Sequence, residues 1–250
     1  MKLLLAAILL ASVSLFAAIQ HLPVNMLVQG RLPERIQVDT IEGTLTQGNM
    51  QELQISPLPW PMQIVGWEFQ PASIFTLQPT FDIYGRSWNK DGNSSLSGDL
   101  RYDVFNQLAT LSQVDMKLEL AQLAKPFHLP ITGKMVIALE SSSLNEDGCQ
   151  SAQGTVTLNQ LHSTRLHWLT PLSPQAGTLS CDNGNLIVKL PLRDPQVNAS
   201  INLTLSPQGE YQLALDLWGM EKRLHSTLTN AIGSEPDGVF NLNYAGELFY

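Results

Sequence analysis

From Leu96 onward the chain alternates apolar and polar residues with a period of two. Leu96, Gly98, Leu100, Tyr102 and Val104 interleave with Ser97, Asp99, Arg101 and Asp103. Val114, Met116, Leu118 and Leu120 interleave with Asp115, Lys117 and Glu119, and Ile131–Leu139 reads the same way. Val197–Leu205 sets Asn198, Ser200, Asn202 and Thr204 on one face. It turns at Ser206-Pro207-Gln208-Gly209 and returns as Tyr211, Leu213, Leu215 and Leu217. Asp182-Asn183-Gly184-Asn185 marks a second hairpin turn, and Phe240, Leu242, Tyr244, Gly246 and Leu248 close the chain at the same period. Successive side chains of a strand point to opposite faces, so each run predicts a strand with one apolar and one wet face. Such strands belong to an antiparallel sheet covered on one side.

The first third of the chain is less regular. Ile36, Val38 and Ile41 fall near alternate positions within Ile36–Leu45, and Trp67 and Phe69 resume alternation. Pro57, Pro59 and Pro61 around Trp60 cannot lie inside a central strand and predict a loop or edge. Pro71 opens a short helix over PASIFTL, with proline in its first turn. Leu118–Phe127 and Glu221–Ile232 are the other candidates for short helices. The expectation is a mainly β fold, a curved antiparallel sheet of roughly ten strands with one or two short helices. Glycine followed at the second place by an apolar residue recurs at Gly43, Gly98, Gly133, Gly154, Gly177 and Gly246. The irregular spacing excludes a propeller or solenoid period. The recurrence reads equally as bulges that coil the sheet or as ordinary turns at strand starts.

Leu3–Ile19, LLLAAILLASVSLFAAI, breaks the pattern altogether, with Ser12 and Ser14 as its only polar members. Seventeen residues rise roughly 26 Å as a helix, near the lower limit for crossing a bilayer. A cleaved signal peptide has the same basic start and leucine-rich body. Cleavage there wants small residues one and three places before the cut, whereas Phe16 or Leu15 stands at the third place. The segment therefore predicts a retained single transmembrane helix, with Lys2 on the cytoplasmic side. The chain divides into an anchor at 1–20, a connector at 21–35 and a β-rich domain at 36–250 outside the cytoplasm.

Composition narrows the partners. Charged residues make up 14% of the chain, and the net charge is −8, which argues against binding a phosphate backbone. The two cysteines, Cys149 and Cys181, predict one disulfide in an oxidising compartment, with buried free thiols as the alternative. The bridge would close a loop of about 33 residues and contribute roughly 3–4 kcal/mol.

Catalytic grammar is missing from the sequence. There is no G-x-S-x-G, phosphate-binding glycine loop, dinucleotide fingerprint or H-E-x-x-H. Of His21, His128, His162, His167 and His225, only His162 and His167 lie close, and a spacing of five on a strand separates their faces. Zinc wants three or four convergent ligands, so no metal site is expected. Asp99/Asp103 and Asp115/Glu119 lie on wet strand faces and read as solvation. Asn93, Asn198 and Asn202 begin glycosylation sequons, which matter only in a eukaryotic secretory protein. The reading is no catalytic residue, no cofactor and no enzyme.

Several stretches together resemble one family, protein N of the bacterial type II secretion system. They are the N-terminal apolar segment and Val38–Gly48 (VDTIEGTLTQG), which is similar to that family's G-T-L-W-x-G with Thr46 in place of tryptophan. They continue with Trp67 and Pro71 ahead of a short helix, Leu118–Gly133, and Gly233 with Asp237-Gly238 running to Tyr244, Gly246 and Leu248. The resemblance implies a single-pass inner-membrane protein with its main domain in the periplasm. It implies an accessory, non-catalytic role in exporting folded proteins, with other secretion subunits as partners. The alternative from strand grammar is an anchored groove that carries lipid or another hydrophobe. A continuous apolar trough open to solvent would favour the groove, and a filled core would favour docking.

Overall fold

The computed structural model describes residues 22–25, 36–55, 62–89, 92–121, 131–163, 175–193, 198–220, 222, 225–226, 229 and 239–247. The expected anchor Leu3–Ile19 and the Pro57–Pro61 loop lie outside them. Among the described residues no helix is long and apolar enough to cross a membrane.

Alternation becomes one antiparallel sheet of fourteen strands rather than the roughly ten expected. The strands are β1 (Ile36–Gln37), β2 (Thr40–Gly43), β3 (Gln47–Ile55), β4 (Met62–Phe69), β5 (Thr80–Asn89), β6 (Gly92–Asp103) and β7 (Leu108–Glu119). Then come β8 (Ile131–Asn145), β9 (Gly148–Ser163), β10 (Gln175–Asp182), β11 (Asn185–Arg193), β12 (Asn198–Leu205), β13 (Glu210–Trp218) and β14 (Phe240–Glu247). From β3 onward every strand pairs with its neighbour in sequence, β1 and β2 both pair with β3, and β14 does not return to close the sheet. The result is an open meander.

The helices differ from expectation in detail. Pro71–Thr76 is a 3-10 helix, ended by Leu77 in the left-handed region at φ 56. Leu118 and Glu119, expected to begin a helix, complete β7; only Leu120 and Ala121 turn helical, and the rest of that stretch lies outside the described residues. Val104, expected to extend a strand, sits in the β6–β7 turn. The turns at Asn183-Gly184 and at Ser206–Gly209 fall where the sequence put them, the first with both residues at positive φ, as tight hairpins need.

Bulges interrupt the ladders of this sheet. Register shifts between Ser97 and Asp99 on β6, and between Leu139 and Ser141 on β8. Gln113 takes the extra place on β7 with φ 51, and Glu140 takes it on β8. Gly98 lies at the first shift, where an added Cβ would stand 2.7 Å from Val114 Cγ2. Of the two readings of the recurrent glycines, the bulge applies at this position.

Directly paired residues share a face, so the ladders trace rungs across the sheet. One rung runs Ile41, Met50, Val65, Gly85, Leu96, Met116, Ile137, Val156 and Gly177. The next runs Val114, Leu139, Gly154, Leu179, Val188, Leu203, Leu213 and Tyr244. Most of the buried apolar residues of this face lie in the middle strands (Val114, Leu118, Val156, Leu158, Leu179 and Leu190), with Phe69, Ala199 and Phe240 buried nearer the edges. Toward either edge the rungs are only half-buried, and Tyr244 on β14 is 58% exposed.

Candidate functional site

Three surfaces follow from this architecture: the apolar face, the wet face and the free edge. The apolar face answers the groove-or-core question in two parts. Over β7–β11 most of its apolar residues are buried, while over β2–β6 and β12–β14 isolated buried residues such as Phe69, Ala199 and Phe240 stand among half-buried ones. Phe69 and Phe81 stack at 5.3 Å across β4 and β5. At the far edge Phe240, 1% exposed, is covered by His225, whose ring meets it edge-on at 5.5 Å.

The wet face carries the titratable groups. Asp82 on β5 stands directly opposite Asp99 on β6, a pairing that sequence spacing cannot show because seventeen residues separate them. Burial, the hydrogen bond to Asp82 and the charge of Asp82 push the Asp99 carboxyl up, with Arg101 opposing. Gln70 Nε2 donates to Asp82 Oδ1 at 2.5 Å. No cluster of His, Cys, Asp or Glu fit for a metal occurs among the described residues. Asp103 behaves oppositely. Its carboxylate accepts from the Phe105 and Asn106 backbone N–H groups at 3.0 and 3.1 Å and from Asn106 Nδ2 at 2.9 Å. Those bonds, led by Asn106, hold it below the usual carboxylate range.

Further along the same face, Arg86, Lys117 and Lys134 surround a shallow hollow of about 350 Å³ with Trp88 and Glu119. Lys134 Nζ lies 3.8 Å from Glu119 Oε1; in so exposed a place the pair contributes little. Asp115 and Glu119 both lie on β7, as expected.

Cys149 and Cys181 are bonded, with Cα atoms 5.6 Å apart. The bridge ties the start of β9 to the end of β10, where Cys149 N also donates to Gly184 O at 2.8 Å. His162 lies on β9 with its buried Nδ1 lacking a hydrogen-bond partner; His21, His128 and His167 lie outside the described residues. Among the described residues no cluster of histidines and cysteines fit for a metal forms. Beside the resembling stretch at Val38–Gly48, Trp67 Nε1 donates to Leu45 O at 3.2 Å, and Thr46 Oγ1 meets Thr44 Oγ1 at 3.0 Å.

The third surface is β14. Its inner side pairs with β13 over all eight residues, and among the described residues nothing pairs with its outer side. Its sequence, Phe240-Asn-Leu-Asn-Tyr-Ala-Gly-Glu247, is uncharged until the last position. An exposed edge of that length is a template for a further strand.

No solved structure matches the chain. Type II secretion system protein N of Vibrio cholerae serotype O1 is 23% identical over 216 residues, covering 82% of this chain and 81% of its own. Its namesake in Pectobacterium carotovorum subsp. carotovorum is 26% identical over 256 residues, covering 96% and 95%. The family model described as Type II secretion system (T2SS), protein N, matches residues 34–237. That range takes in the sheet from β1 through β13, and the chain belongs to the type II secretion system protein N family.

Proposed function

We propose that the chain is a non-catalytic component of a type II secretion system that works by docking. In this reading residues 1–20 anchor it in the inner membrane, 21–35 connect, and 36–250 form a periplasmic β domain that assists export of folded proteins. The observation that carries it is the free β14 edge, eight residues long and almost uncharged, which suits main-chain pairing with another subunit. The test is copurification of secretion subunits with full-length Leu242→Pro and Asn243→Pro chains. Neighbouring residues of a strand turn their N–H groups to opposite sides. One substitution therefore spares the β13 ladder and disturbs only the outer edge. Loss of partners from the variant that keeps its melting temperature supports docking. Unchanged partners would sink it.

A second reading has its own observation. The rungs over β12–β14 are half-exposed, and a face of Leu203, Leu213, Leu215 and Leu242 that water reaches suits an acyl chain. Extraction of lipid from the purified wild type, paired with melting of Leu203→Asp, separates the two. Docking expects collapse of that variant and no lipid. The groove expects a folded variant and co-purified phospholipid.

A further inference from the structure

Strand direction places six connections at one end of the sheet, and the five that follow the β2–β3 turn fall into two groups. The β8–β9, β10–β11 and β12–β13 turns are polar, with Glu146, Asp147, Asp182, Asn183 and Gln208. The link between β4 and β5 and the turn between β6 and β7 are apolar and exposed. Phe75 is 89% exposed, Phe105 76%, Leu77 57% and Val104 54%. Large apolar side chains left this open side by side mark a contact surface.

The two apolar tips adjoin and are held rigidly. Tyr102 N donates to Pro79 O at 3.0 Å and Gln78 Nε2 to Asp103 Oδ2 at 3.3 Å, tying one to the other. Leu77 and Gln107 both sit at positive φ, a conformation that side-chain-bearing residues rarely adopt unless the surroundings impose it. From Phe69 to Phe81 there is no charged residue, and from Tyr102 to Leu108 only Asp103, whose carboxylate is occupied by the turn's own N–H groups.

The first described residues enter the sheet close by. Pro23 bridges Thr44 in the β2–β3 turn, at this same end, and Phe69 N donates to Thr46 O at 2.6 Å where β4 meets that turn. Leu22 therefore lies at the same end of the sheet as the apolar tips, three residues after the end of the apolar run Leu3–Ile19.

We infer that Phe75, Leu77, Val104 and Phe105 insert into the surface of the bilayer that holds Leu3–Ile19, fixing the sheet end-on against the membrane. The inference rests on the reading of Leu3–Ile19 as an anchor. The lipid surface it fits is a zwitterionic one, because Asp82, Asp99 and Asp103 stand close behind the tips and an anionic surface would repel them.

The test uses the full chain in phosphatidylcholine–phosphatidylethanolamine vesicles. An environment-sensitive fluorophore is placed in turn on Phe75→Cys, Phe105→Cys and, as the polar-tip control, Gln208→Cys. Lipids spin-labelled near the headgroup should quench roughly half the emission at 75 and at 105 and little at 208, as for side chains seated ~5–10 Å into the interface. A chain that floats with the vesicles but leaves 75 and 105 unquenched overturns the inference while the anchor stands. A chain that does not float overturns both. Protection that appears at both sites only when another secretion subunit is added assigns the tips to protein and likewise overturns the inference. Labels at 75 and 105 report independently, so misfolding of one variant leaves the other to decide.

Discussion

The two groups of connections at one end of the sheet are built from opposite chemistry. On the C-terminal side the turns hold one another. The Cys149–Cys181 bond joins two of them, and a Cβ added to Gly148 would strike Pro207 of the third and Gly184 O. On the N-terminal side the tips are braced only at their bases by hydrogen bonds, and their apolar ends touch water. A sheet with a single apolar face has no second layer to grip its turns. It secures one set covalently and, on the reading above, leaves the other set to be covered from outside.

Breaking the secured side should have the largest effect. Cys149→Ser with Cys181→Ser should lower stability by about 3–4 kcal/mol, read as a denaturation midpoint shift of the purified chain. An unchanged midpoint would mean the C-terminal turns hold without their bond. Gly148→Ala comes next, at about 1–3 kcal/mol, since Gly148 sits at φ 106 with no room for a methyl group. A neutral outcome would show that these turns do not pack as described.

The acid pair and the capped acid sharpen the contrast through pH. Asp99 has a folded pKa raised above 3.8, so its protonated form is favoured on folding and that stability is lost as pH rises through the folded value. Asp99→Asn should therefore raise the melting temperature slightly at pH 7 and leave it level near pH 4. Asp103 has a lowered pKa, so its contribution is present above 3.8 and lost as pH falls below it. Acidification should accordingly loosen the Phe105 tip while relieving the rung behind it, which hydrogen exchange at Asn106 would report. The smallest effect belongs to Phe75→Ser with Phe105→Ser, within about 0.5 kcal/mol of wild type in melting. A larger loss would show that the tips are core.

Much of this was legible from alternation, and the exceptions have a common cause. β12 and β13 read cleanly because their register is unbroken from Asn198 to Leu205. β7 and β8 read only in part. The extra residues Gln113 and Glu140 switch the phase, so that Ala109 and Leu111 share a face with Val114 and Met116. A period-two pattern cannot survive a one-residue insertion. β5 was hidden differently, because Tyr84 and Trp88 occupy its wet face beside Asp82 and Arg86 and erase the contrast. The Asp82–Asp99 pair and the gathering of Phe75 with Phe105 depend on which strands meet, and no local signal carries that.

The sequential ladder also sets the order of assembly. Beyond β3 each strand finds its partner in the segment just made, so the loops to be closed are short and folding need not wait for distant chain. The sheet can therefore grow from its first hairpin, each new strand covering the edge left by the last. β14 arrives finally, after the longest interval between strands, and its outer edge has no later segment among the described residues to receive. Among the described residues growth by addition ends there with one edge unpaired, and on the docking proposed above a strand of another subunit would continue the ladder.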